Sequence, residues 1–313
     1  MSSYNGKKGA FNLTGVPGVS DVYQVTTTST STGPFNFWNK WFKPRSNMYM
    51  TLAEAEAALT GGINEVVMLS PESHSLASSL TWDKSQAHLV GQSPGSLFAT
   101  RSRIGMSTTF TPMITVSGSN NLFKNIYTMH GTAVGDYTSW YVTGSRNVFD
   151  NCHFAGPMNA AQGGGASYIG VHVTGSENYF KNCVFGSKSV ARDEITPNLK
   201  IAGGDNVFEN CWFVCALTDT DPIFVYVDNA TTVNAWFKGC QFLAFSENHG
   251  NAMAVAFVFG AGASADITLD QGCSFHNVTK IAASASMKYI WTPTVFAATA
   301  DELNLISINS ATY

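Results

Sequence analysis

The chain has 313 residues, is 44% hydrophobic, and sets 17 Lys and Arg against 21 Asp and Glu for a formal net charge of −4. Charged residues reach only 12%, about half the roughly 25% of an average globular protein, and 31 serines and 30 threonines outnumber them. This composition builds a core; it excludes a disordered charged chain or a long charged coiled coil, and gives no bulk attraction to nucleic acid or an anionic membrane.

Residues 1–50 have no periodic apolar pattern. They pass through a Thr/Ser tract at positions 26–32 into an aromatic cluster of Phe35, Phe37, Trp38, Trp41 and Phe42. Large aromatics beside a flexible tract are expected to form an extended docking arm, with the rings as buried anchors. Lys7 and Lys8 are followed by no apolar run, so a secretory leader is not expected. The longest apolar stretch, Ala252 to Ala263, is too short to span a bilayer.

Residues 51–110 are expected to be a capping helix and the first, irregular coils of a larger repeat. Thr51 and Glu54 have the spacing of a capping box, and Gly61-Gly62 close the helix. Short apolar strands follow around Glu65–Leu69, Ser79–Trp82 and Ala87–Gly91.

Residues 111–288 repeat one pattern. Val142-Thr-Gly-Ser-Arg-Asn147-Val-Phe149-Asp-Asn151-Cys152-His-Phe154 recurs around Asn121, Asn178 and Asn206, with weaker copies at Trp236–Phe242 and Leu269–Phe275. Phe149 and Phe154 are five residues apart, so one strand of period two cannot point both inward. The slot between them is Asn125, Asn151, Asn182, Asn210, then Gly239 and Gly272. Asn and Gly share tolerance of the left-handed conformation, which predicts a one-residue bend between two short strands. Adding the strand that precedes each Thr-Gly-Ser turn gives three strands per unit of about 29 residues. Such a unit buries its apolar face only by stacking on copies of itself. Cys152, Cys183, Cys211, Cys240 and Cys273 then form an interior ladder, as reduced thiols with parallel Cβ vectors unsuited to disulfides. Residues 289–313, with alternation near Leu303–Asn309, are expected to close the last coil or join a subunit interface.

The inward Phe, the Asn bend and the coil length resemble the right-handed parallel β-helix of the pectate-lyase type. That resemblance implies an all-β, single-stranded solenoid with an N-terminal arm and a short capping helix. The helix followed by first coils also resembles β-helix proteins of bacteriophage virions, decoration and tailspike proteins among them. It implies a homotrimer on the particle surface that binds the major capsid protein or another virion protein.

Chemistry is not written in the motifs. Glycoside hydrolysis needs two carboxyls facing one groove, yet Asp150 and Glu209 share an outward slot with Lys124, Lys181 and Lys238, the alternation of a charge-balanced surface. The histidines fall at unrelated repeat positions, and neither a catalytic residue nor a metal or cofactor site is expected. The loop acids Asp193, Glu194, Asp219 and Asp221 are candidates for a glycan site. The expectation is therefore a capsid decoration or cement protein, the alternative being a tailspike or adhesin that binds or degrades polysaccharide.

Overall fold

The structure, a computed structural model, describes residues 22–25, 48–49, 51–93, 102–106, 110–130, 138–157, 168–192, 195–228, 232–246, 250–261, 263–270, 272–282 and 289–291. Their strands form three parallel sheets around one core, a parallel β-helix. Each coil visits the sheets in turn: Val148–Asp150 lies in the first, His153–Pro157 in the second and Ile169–Val173 in the third, and the next coil repeats the path with Tyr179–Lys181, Val184–Arg192 and Pro197–Ile201. Among the described residues the second and third sheets have eight strands each and the first has eleven.

Inward side chains stack in register along the axis. Phe123, Phe149, Phe180, Phe208 and Phe237 form one column, ring centroids 4.5 to 4.9 Å apart and within 11° of parallel. Phe185, Phe213, Phe242 and Phe275 form a second, at 4.6 to 4.8 Å. The two columns meet edge to face, as Phe208 and Phe185 do at 5.9 Å, and aromatic pairs add about 0.5–1.5 kcal/mol each beyond burial.

The bend between the columns is left-handed at Asn125, Asn151, Asn182, Asn210 and Gly239, with φ of 52° to 61°. Gly272 departs from the expectation: its φ lies outside the left-handed region. There Asp270 rebuilds the turn. Its Oδ1 accepts the N–H groups of Gly239 and Gly272 at 2.9 and 3.0 Å, and its carbonyl accepts that of Cys273 at 3.0 Å.

A second asparagine column carries more of the hydrogen bonding. Asn121, Asn147, Asn178 and Asn206 are buried. Each Oδ1 of the last three accepts the backbone N–H of the asparagine one coil earlier at 2.9 Å. Their Nδ2 groups donate to the carbonyls of Gly118, Gly144 and Gly175 at 3.0 to 3.1 Å. One side chain thus satisfies two buried backbone groups of the preceding coil, which would otherwise cost about 1–3 kcal/mol each. The residue before each of these asparagines is also left-handed: Asn120, Arg146, Glu177 and Asp205, φ 57° to 59°.

The thiols of Cys152, Cys183, Cys211, Cys240 and Cys273 donate to the carbonyls of Phe123, Phe149, Phe180, Phe208 and Phe237 on the preceding coil at 3.2 to 3.4 Å. The described cysteines are all free.

Helix α1, Leu52–Ala57, has the capping box of Thr51 and Glu54 and buries Leu52 and Ala55 against the core. The strands that follow it are regular, not irregular: Glu65–Leu69 pairs with Ala87–Gly91 over five registered residues. Residues 1–50 contribute two strands rather than only a free arm. Val22–Val25 pairs with both Met48–Tyr49 and Val66–Leu69 at one end of the first sheet. Tyr289–Trp291 extends the other end of that sheet beside Asp266–Thr268.

Candidate functional site

The expected docking rings Phe35, Phe37, Trp38, Trp41 and Phe42, the loop acids Asp193 and Glu194, and residues 303–309 lie outside the described residues. Asp219 and Asp221 are exposed, and the Thr220 hydroxyl donates toward both carboxylates at 3.4 and 3.5 Å. Among the described residues no group of three His, Cys, Asp or Glu side chains could hold a metal. Among the described residues no helix is long and apolar enough to cross a membrane.

The outer faces differ in chemistry. On the first, carboxylates are bound to bases of the neighbouring coil: Asp150 to Lys124 at 2.5 Å and Glu209 to Lys181 at 3.6 Å. At the adjoining turn Glu177 takes Arg146 at 2.5 and 3.3 Å. These exposed pairs are worth little singly, but they link coil to coil along the axis. Tyr179 donates to Glu209 at 2.5 Å, and burial together with that carboxylate pushes its phenol up to about 12.

The third face carries Tyr141, His172, Lys200 and Tyr226 on successive coils. Tyr141 lies 5.0 Å from the His172 ring, Lys200 sits 5.4 Å over Tyr226, and Asp228 takes Lys200 at 2.8 Å. His172 Nε2 is buried without a hydrogen-bond partner. Burial first, then the Lys200 ammonium, push the imidazole down to about 4, against a smaller opposing pull from Asp228. The folded state therefore prefers neutral His172, and stability linked to it is complete above the ordinary histidine range near 6.5 and is lost as pH falls from there toward 4. The melting temperature should drop across that window, and by less in a His172→Gln variant; an equal drop in both would remove His172 as the cause. This row offers hydrogen-bonding and stacking groups.

The second face holds a depression of about 300 Å³ lined by Tyr127, His153, Ser187, Lys188 and Ser189. His153 Nε2 bonds the Gly186 carbonyl at 2.9 Å, Tyr127 meets the His153 ring edge-on at 4.8 Å, and Arg103 lies 5.3 Å over Tyr127. The rim exists because Val184–Arg192 loses register against its neighbour between Ser187 and Ala191.

Beneath that bulge Arg192 is only 3% exposed, and no carboxylate pairs with it among the described residues. Its guanidinium donates to Cys215 Sγ at 2.9 and 3.1 Å, to the Thr196 carbonyl at 2.9 Å and to Asn198 Oδ1. Asn198 Nδ2 in turn donates to the Phe185 and Val214 carbonyls at 2.6 and 2.9 Å. Burial pushes the Cys215 thiol up and the adjacent Arg192 opposes it. The node pins the bulge that shapes the depression. These partnerships leave no mark in the sequence, because Arg192, Asn198 and Cys215 stand outside the repeated slots.

No family model and no curated protein matches the chain. Solved structures do. A pectin methylesterase in complex with a hexasaccharide superposes with a TM-score of 0.53 at 13% identity, over 90% of this chain and 94% of that one. Pectin methylesterase PemA from Erwinia chrysanthemi gives 0.52 at 13% identity, over 87% and 92%. The enzymatically active domain of bacteriophage CBA120 tailspike protein 2 gives 0.39 at 10% identity, over 74% and 42%. At these identities the two methylesterases share the parallel β-helix with this chain, and the looser tailspike superposition adds nothing to that.

Proposed function

We propose that the chain is a structural protein of a bacteriophage particle, a decoration or cement protein that binds the capsid surface. The observation that carries this reading is the use of the coil acids. Asp150, Glu177, Glu209 and Asp228 each hold a base of the neighbouring coil, so acidic side chains join the solenoid to itself. Faces left with hydroxyls, paired charges and flat aromatic rows suit packing against other protein, where unpaired charges would carry desolvation penalties. The resemblance of the chain's opening to virion β-helices supports the particle as the setting.

The depression beside Tyr127, His153 and Lys188 favours a second reading, a tailspike or adhesin that binds or degrades polysaccharide. Incubation with host-surface glycans separates the two: the first expects no release of oligosaccharide, and release would overturn it. For attachment, replacing Phe35, Phe37, Trp38, Trp41 and Phe42 together by Ser should abolish co-sedimentation with particles while leaving the paired strands on either side intact. Undiminished binding would remove the aromatic cluster as the anchor.

A further inference from the structure

The first sheet presents two outward rows. One is apolar through five coils, Leu122, Val148, Tyr179, Val207 and Trp236, ending at Thr268. Trp236 is 51% exposed, on a face where solvent-facing strand positions are ordinarily polar. The other row alternates in sign without a break: Lys124, Asp150, Lys181, Glu209 and Lys238, then Asp270, whose Oδ1 also accepts the Gly239 and Gly272 N–H groups of its turn.

We propose that this sheet is the contact face for a second copy of the chain, the two solenoids packing face to face and antiparallel about a twofold axis between the Lys181 and Glu209 rungs. The axis runs along the strands, so each row meets the same row of the other copy with its order reversed. Six alternating charges reversed on themselves are complementary at every rung: Lys124 faces Asp270, Asp150 faces Lys238, and Lys181 faces Glu209. The apolar row interlocks by size, with Val148 against Trp236 and Tyr179 against Val207. A slip of one rung, or a parallel arrangement in register, sets like charge against like, and a slip of two rungs keeps only four of the six complementary rungs, so the pattern favours this alignment.

The overlap spans eight strands, about 38 Å at ~4.8 Å per strand, and is roughly 10–20 Å wide. That is on the order of 500 Å² per copy, near the lower bound for a specific interface, and it implies a dimer that dissociates at micromolar dilution. This inference does not depend on the phage assignment. A trimer, which the virion resemblance implies, would need another surface.

Sedimentation of the full chain from about 1 to 200 µM should show monomer passing to dimer. Lys181→Glu should raise the midpoint at least about tenfold, since like charges then face each other twice, and adding Glu209→Lys should restore it. Cross-linking gives a readout independent of these shifts. Val148→Cys and Trp236→Cys proteins should be joined by a short bismaleimide only when mixed, because facing positions lie about 10 Å apart across the packed sheets, too far for a direct disulfide, whereas each position is displaced about 14 Å along the sheet from its own copy. A monomer or trimer at 200 µM, or cross-linking of Val148→Cys with itself, would overturn the proposal.

Discussion

Asn178→Ala is expected to lower stability by roughly 2–6 kcal/mol, because it strips partners from two buried backbone groups at about 1–3 kcal/mol each. The Asn147 N–H loses Asn178 Oδ1 at 2.9 Å and the Gly144 carbonyl loses Nδ2 at 3.1 Å. Asn178 is fully buried, and water has no path to replace either bond. Asn182 makes the informative control. It holds a left-handed bend at φ 53°, where Gly is at ease, so Asn182→Gly should stay within about 1 kcal/mol. Urea unfolding of the two variants beside the parent tests the contrast, and equal losses would mean that conformation rather than the buried ladder governs this turn.

Gly144→Ala is expected to cost about 3 kcal/mol or more. A Cβ at Gly144 would lie 1.9 Å from the Gly118 carbonyl oxygen and 2.8 Å from its carbon. Both are backbone atoms of the adjacent coil, so only a change in coil spacing relieves the contact. Gly175 and Gly203 repeat it, at 1.9 and 2.0 Å from the glycine oxygen before each. By contrast a Cβ at Gly105 meets nothing nearer than 3.8 Å, and Gly105→Ala should be close to neutral. A Gly144→Ala protein that melts with the parent would contradict the close stacking of these turns.

The parts of the fold legible in the sequence were those repeated at one slot per coil. The Phe and Cys columns and the left-handed bend show through because stacking puts the same demand on every copy. The second left-handed position was hidden. Arg146 and Glu177 are not residue types suited to that conformation; they face solvent and pair with each other, so side-chain chemistry masks the backbone state. In the sequence the glycines of the Thr-Gly-Ser turns look like ordinary turn formers, whereas their contacts show that space between coils decides them. Gly272 misled in the opposite sense, since Asp270 supplies by its side chain a turn that the slot alone suggested would be left-handed. The depression and the third-face row were not legible at all. His172 draws its environment from Tyr141, Lys200 and Asp228 on neighbouring coils, and the Arg192 node joins residues with no common repeat position.

The proposed function on a particle would act through surfaces, so its most direct test is spatial. Electron microscopy of the assembled phage particle, reconstructed with and without this protein, should place β-helical density of eight three-strand coils on the outside of the capsid shell. Density confined to the tail, or particles identical in its absence, would contradict the decoration role.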